Sequence, residues 1–322
     1  METLGYIVRR LFKAAVLLLG VVSLNFLLIR AIPGDPATVI AGESGMSDPA
    51  FVDAIRRIYG LDQPLLAQLK TYILNTLSLD LGHSYRLQSD VLTLIIDRLP
   101  ATLALTGSAF VLSLVVGVGL GMLAGAKPDS KLDIGIRFLT LALYSIPVFW
   151  IGLMLILVFS LQLRWLPASG TGFEYGEVPS VGKFLSHLML PAVTLSLFYI
   201  AVYVRLARTS IIDVTHLDFV RTARSKGLTG GQIMRRHVLP NSMLPILTMA
   251  SLQAGNLVSG SIAVETIFAW PGIGRLGYEA LVQRDYNMLL GVFLTSATMV
   301  LLLNLVADVL YAVVDPRIEL AK

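Results

Sequence analysis

Few side chains in this 322-residue sequence are placed to do covalent chemistry. It has no cysteine, hence no thiol nucleophile, no disulfide and no thiolate metal ligand. Its four histidines, His83, His187, His216 and His237, fall in separate loops or on different sides of apolar runs. None of them forms a metal-ligand pair on one helix face. No Gly-x-x-x-x-Gly-Lys-Ser/Thr string is present, and Gly182-Lys183-Phe184 lacks both the hydroxyl residue and the earlier glycine. The chain is therefore not expected to cradle ATP in a phosphate loop, and no catalytic residue is assigned. What remains is polar groups inside apolar runs: Gln253, Asn256, Glu265, Asn304 and Asp308. Such groups are expensive in lipid and turn toward a bundle interior, where structural hydrogen bonding and a role in a solute passage look alike. Asn304 and Asp308 lie one helical turn apart on one face. Asp308 sits close to the end of its apolar run, which favours a structural contact.

The other polar feature is a basic island from Asp218 to Asn241 between two long apolar runs. It reads as two short helices joined by a tight turn. Asp218 is a candidate cap for the first helix. Gly227 ends it, because glycine takes the left-handed conformation without a Cβ clash. Thr229 and Gln232 have the spacing of a capping box and restart a helix. Pro240 disfavours helical backbone at Leu239, so the second helix is expected to end there. The first helix has an apolar face of Phe219, Val220 and Ala223 and a basic face of Arg221, Arg224 and Lys226. From the residues alone, such an elbow is either an anchor on anionic lipid or a docking surface for a partner.

The elements around these residues are spans. Hydrophobic residues make up 55% and charged residues 14% of the sequence. Mean hydropathy is +0.75. A soluble domain carries about 25% charged residues, so this composition is that of an integral membrane protein. The isoelectric point near 9.3 does not point to nucleic acid, because the basic residues flank spans. The apolar runs are Leu11 to Ile29, Ala101 to Ala126, Ile134 to Leu161, Leu188 to Leu206, Met243 to Phe268 and Met288 to Val313. The first is read as a retained span, since Arg30-Ala31-Ile32-Pro33 is a poor cleavage site for a signal peptide. The second carries Gly117, Gly121 and Gly125, every fourth residue, which lets another helix approach closely. The third has Pro147 inside it, which removes a backbone hydrogen bond and kinks a helix. The fifth carries a stripe of small residues, Ser251, Gly255, Ser259 and Ala263.

Pro33 to Leu99 is different in kind, mixing charge, turns and two helix-like stretches, Phe51 to Tyr59 and Leu65 to Leu77. It reads as a folded external segment. Lys and Arg concentrate in the segments before span one, between spans two and three, in the island and after span six. By the positive-inside rule both termini and the island are cytoplasmic. The expected organisation is residues 1–97 as first span plus external segment, 98–313 as a five-helix core with its loop at 210–242, and 314–322 as a cytoplasmic tail.

The string Val220-Arg221-Thr222-Ala223-Arg224-Ser225-Lys226-Gly227-Leu228, followed by Leu239-Pro240-Asn241, resembles the EAA loop of binding-protein-dependent ABC importer permeases. It is most similar to the dipeptide/oligopeptide branch. Arg221 stands where the loop's naming glutamate would be, as is common in that branch. Pro33-Gly34-Asp35-Pro36, Tyr59-Gly60-Leu61-Asp62-Gln63-Pro64, Asp80-Leu81-Gly82-His83-Ser84, Ser145-Ile146-Pro147-Val148-Phe149-Trp150 and Trp270-Pro271-Gly272-Ile273-Gly274-Arg275 also resemble it. The resemblance covers nearly the whole chain. It implies an all-α, six-span permease of the type I importer fold in a bacterial inner membrane. It implies a second, non-identical permease subunit, two cytoplasmic ATPases that bind ATP and Mg, and an extracytoplasmic solute-binding protein. The chain itself would hold no cofactor. Residues 219–227 and 239–241 would couple to the ATPases. Pro147, Gln253, Asn256, Glu265, Trp270, Pro271 and Gly272 are the candidates for the passage or its gate. Peptides are the leading solute, with nickel complexes, glutathione, haem and oligosaccharides as alternatives. An ATP-independent secondary transporter would instead show inverted repeats, and none is evident.

Overall fold

The computed structural model describes residues 2–31, 36–43, 48–58, 62–84, 86–172 and 180–314. The first residues of the Pro33–Pro36 turn, Tyr59 to Leu61 and the tail from Asp315 lie outside the described residues. In chain order the helices are α1 (Glu2–Ala31), α2 (Pro36–Glu43), α3 (Pro49–Ile58) and α4 (Leu65–Leu77). A short hairpin, β1 (His83–Ser84) with β2 (Ser89–Asp90), comes next. Then follow α5 (Val91–Ala126), α6 (Lys131–Ser145), α7 (Val148–Leu155) and α8 (Val181–Thr215). The last are α9 (Asp218–Ser225), α10 (Gly230–Ile233), α11 (Leu239–Ile267), α12 (Ile273–Gln283) and α13 (Tyr286–Val314). Two π-helical turns, Ile156–Gln162 and Met234–Val238, extend α7 and join α10 to α11.

Among the described residues, four helices are long and apolar enough to cross a membrane: α1 over Arg9–Leu28, α5, α8 and α13 over Tyr286–Val306. The third expected span is not one kinked helix. It is α6 and α7, bent by 103° at Ile146 and Pro147, and it makes a fifth span only if the pair is taken together. Ile146 is extended at φ −86°, ψ 131°, and Pro147 sits at the N-cap of α7. A residue before proline is pushed out of the helical region, so the ring ends one helix and starts the next. Helix α11 has 29 residues, ample for a span. Its serines, Gln253, Asn256 and Glu265 leave it less apolar than the four.

Two compact units are distinguishable, and they do not follow chain order. One comprises the described residues of 1–100 and 272–302, the other those of 101–271 and from 303 onward. In the first, Asn25 of α1 is buried and donates its Nδ2 to Leu290 O of α13 (3.2 Å). The hairpin pairs His83 with Asp90 and Ser84 with Ser89. It is fastened to the start of α13 by Ser84 Oγ donating to the Asp285 carboxylate and Asn287 Nδ2 donating to His83 O. Asp285 in turn accepts the Met288 amide, capping that helix. The helical stretches expected between Pro33 and Leu99 are α3 and α4; the hairpin and α2 are additional, since two-residue strands and an eight-residue helix leave no periodic signal.

The second unit is built on α8 and α11. Its core gathers Leu105 and Ala109 of α5, Leu195, Tyr199 and Tyr203 of α8, and Ile246, Leu257, Val264, Phe268 and Trp270. The glycine stripe of α5 packs against α8. A Cβ at Gly117 would lie 2.6 Å from Tyr203 Cβ, and one at Gly121 2.6 Å from Ala207 Cβ and 2.7 Å from Val204 O. A methyl has no room there, so the close approach requires glycine.

Candidate functional site

The elbow is assembled from the ends of three helices. Helix α8 runs out at Thr215, and α9 begins two residues after His216. Asp218 does not cap α9: Leu217 holds the N-cap position and makes no side-chain bond. Asp218 is instead the first helical residue, favourable beside the amide end of the helix, and reaches Arg221 at 3.5 Å. The other end closes as expected. Gly227 has φ +83°, its amide donates to Arg224 O (3.0 Å), and the Leu228 amide donates to Ala223 O (3.4 Å). That crossed pair is a Schellman motif, satisfying carbonyls the helix would otherwise leave open. The restart is also as expected, with Gln232 N donating to Thr229 Oγ1 (3.4 Å) and Thr229 N to Gln232 Oε1 (2.9 Å).

The second short helix does not end at Leu239. Backbone from Gly230 continues through the π turn into α11, with Pro240 in its first turn. The wider π turn relieves the clash between the proline ring and the preceding turn of carbonyls. Asn241 Nδ2 donates to the His237 carbonyl (2.7 Å). The second half of the elbow, from Gly230, and α11 are thus one continuous rod.

Val220 and Ala223 turn inward, 0% and 5% exposed, and pack with Ile211 and Val214 of α8 and with Ile233 and Val238. Burying one such valine contributes about 1.5–3 kcal/mol, enough to hold a two-turn helix that would not persist alone. Phe219 does not join them; it is exposed beside a dent of about 270 Å³ lined by Thr222, Ala223, Lys226, Leu228 and His237. Arg221, Arg224 and Lys226 are exposed, as are Arg235 and Arg236 further along. The result is a fixed, basic, outward-facing knob joined to both α8 and α11.

The candidates for a passage separate into two groups. Gln253 and Asn256 bond each other on α11, Asn256 Nδ2 donating to Gln253 Oε1 (2.9 Å), and Asn256 is exposed with Leu252, Ser259 and Ala263. That face of α11 is not covered by the unit's own helices. Glu265 and Trp270 are fully buried. Glu265 Oε1 accepts from Thr102 Oγ1 (2.8 Å) and Ser261 Oγ (3.1 Å). Trp270 donates Nε1 to Ala101 O (2.8 Å) and its amide to Glu265 O (2.8 Å). Both brace α5 against the end of α11, about 13 Å along that helix from Asn256. Pro147 marks the α6–α7 break, Pro271 is half-buried, and Gly272 is the residue before α12.

One ion pair was not foreseen. Arg208 of α8 grips Asp133 of α6 with both arms, Nε to Oδ1 at 2.6 Å and Nη2 to Oδ2 at 2.8 Å. Asp133 is wholly buried and also accepts the Asp129 amide (2.8 Å), while Ser130 caps α6. The Ser130-x-x-Asp133 spacing was a readable helix start, but nothing in sequence pairs it with a residue 75 positions later.

This arrangement, an all-helical unit with a basic elbow feeding a long helix, is the architecture of an ABC importer permease. The structure matches an inward-facing methionine ABC transporter with TM-score 0.56 at 19% identity, over 69% of this chain and 96% of that one. Sequence comparison then fixes the family: residues 117–320 match the binding-protein-dependent transport system inner membrane component, and residues 3–106 its N-terminal component. The chain belongs to that family. It is 39% identical to a di/tripeptide transport system permease of Pseudomonas aeruginosa, over 98% of this chain and 99% of that one. It is 38% identical, over the same shares, to an oligopeptide permease of Bacillus subtilis and to a dipeptide permease of Escherichia coli. It is therefore a multi-pass inner membrane subunit that works with ATP-binding and solute-binding partners.

Proposed function

We infer that this chain forms one half of a passage for di- and oligopeptides, paired with a related but non-identical permease. The observation that carries the solute class is the end-to-end likeness to permeases named for peptides in three organisms. In this reading the α6–α7 pair is the third span and α11 the fifth, which brings the total to six. Both termini and the elbow are cytoplasmic, and the segment between α1 and α5 is external. Two ATPases bind ATP and Mg and grip the knob around Arg221, Arg224 and Lys226. Their closure moves α9, and the continuous rod from Gly230 to Ile267 carries that movement to the exposed face with Gln253 and Asn256. Buried Glu265 and Trp270 hold the far end of the rod, so they act on a gate through α5 without touching solute.

The test is uptake of labelled di- and tripeptides into vesicles holding both permeases, the ATPases and the binding protein. Uptake that requires ATP on the elbow's side and the binding protein on the other supports the reading. Uptake by this chain alone, driven by a proton gradient, overturns it in favour of a secondary transporter. Strict preference for nickel, glutathione, haem or oligosaccharide keeps the mechanism and replaces the solute.

A further inference from the structure

A second site lies on the flank of the same unit, where α6 crosses α8. A groove of about 520 Å³ runs between them, walled by Ile134, Phe138, Leu141 and Tyr144 and floored by Ala201 and Val204. Phe138 and Leu141 are 75% and 65% exposed, so nothing in this unit covers the groove. Three arginines, Arg137, Arg205 and Arg208, line it as well. Their charges are not balanced. Arg208 is occupied by Asp133. Arg137 is half-exposed and has only distant carboxylates, Asp129 and Asp133, each at 3.7 Å. Arg205 lies 5.6 Å over the Tyr144 ring and has no carboxylate partner among the described residues. Three guanidiniums against two carboxylates leave a positive charge at the mouth of an apolar trough.

We propose that this groove binds an anionic phospholipid, its phosphate between Arg137 and Arg205 and an acyl chain along Phe138, Leu141 and Tyr144. The chemistry selects that class. A guanidinium fork matches phosphate oxygens, and its planar face rests on the tyrosine ring. A soluble anion would find no use for the apolar wall. A zwitterionic lipid such as phosphatidylethanolamine, though it carries a phosphate, also brings an ammonium that would sit against the surplus guanidinium charge. Basic pockets between spanning helices at headgroup level are a recognised form of lipid site. The Asp133–Arg208 pair gives the site a rigid base, fixing where α6 meets α8. A bound lipid would therefore bridge α6 to the helix that feeds the elbow, independently of which solute is carried.

The experiment purifies the complete transporter in detergent after reconstitution with phosphatidylethanolamine and phosphatidylglycerol, and measures retained phospholipid. Removing each arginine, in Arg205→Gln and Arg137→Gln, is expected to lower retained phosphatidylglycerol about fivefold, with phosphatidylethanolamine unchanged. Arg205→Lys keeps the charge but loses the fork and the stacked face, and is expected to retain phosphatidylglycerol at a level between the parent and Arg205→Gln. Equal phosphatidylglycerol retention in the parent and Arg205→Gln overturns the proposal. A photo-crosslinking residue at Phe138 gives a reading that needs no charge change. An adduct with phospholipid supports the site, whereas an adduct with the second permease overturns it by showing that protein covers the groove.

Discussion

Gly227 is where one atom decides the geometry of the elbow. Its φ of +83° is open to glycine and closed to a β-branched residue, while a Cβ there would meet nothing within 4 Å. The strain is in the backbone and not in a clash, about 1–2 kcal/mol, and the chain escapes it by re-aiming α9. Gly227→Val is expected to abolish transport and ATPase co-purification at normal membrane expression. Gly227→Asn, which tolerates the left-handed region, is expected to retain most of both. If α9 were only a lipid anchor, Gly227→Val would transport normally and the neutralised Arg221, Arg224 and Lys226 triple would not. Asp133 makes a second case. Asp133→Ala leaves Arg208 partly buried without its carboxylate, a loss on the order of 3 kcal/mol. A lower unfolding temperature of the purified complex checks it, and Asp133→Ala with Arg208→Leu is expected to recover part of the loss.

Packing of α5 on α8 rests on close backbone approach, and it makes a paired prediction on one helix. Gly121→Ala places a methyl 2.6 Å from Ala207 Cβ and 2.7 Å from a carbonyl oxygen that cannot turn away. It is expected to destabilise by about 1–3 kcal/mol, since overpacking forces the helices apart. Gly119, two residues away, faces open space. Gly119→Ala is expected to be neutral or stabilising by up to about 1 kcal/mol, because alanine is the better helix former. Thermal unfolding of the two variants in the same detergent separates packing from propensity. The α6–α7 break belongs with these helices: the turn at Pro147 gives the pair two directions, which a straight span would not have.

The whole chain carries two further expectations. The absence of cysteine gives topology a clean background for thiol labelling. Asp53→Cys on α3 and Leu66→Cys on α4 are expected to react with a membrane-impermeant thiol reagent in intact spheroplasts, and Arg224→Cys on α9 only after permeabilisation. The reverse pattern would overturn the proposed orientation, in which the elbow meets the ATPases. The purified subunit alone is expected to hydrolyse no ATP, as its sequence has no phosphate loop. Activity in a preparation free of ATPase subunits, by mass spectrometry, would contradict that.

Local chemistry made much of this legible before any coordinates. The turn at Gly227, the capping box at Thr229 and Gln232, the glycine stripe of α5 and the apolar runs all depend on residues within a few positions of one another. Where the reading of the elbow failed, the competing effect was also local but cooperative: a π turn lets Pro240 sit inside a continuing helix, and Leu217 displaces Asp218 from the cap. The kink expected at Pro147 became a 103° break for the same reason, since proline disfavours helix in the residue before it but does not set the angle. Tertiary structure alone decided which side of each helix is covered. Glu265 and Asn256 lie on one helix and are alike in sequence as polar residues in an apolar run. One is sealed by Thr102 and Ser261, and the other faces away from its own unit. The partners that make that difference lie up to 163 residues away, and hydrophobic pattern carries no information about pairing over such separations. The same holds for Asp133 with Arg208, and for Arg205, which has no carboxylate partner among the described residues and whose charge stands out only when α6 and α8 are set side by side.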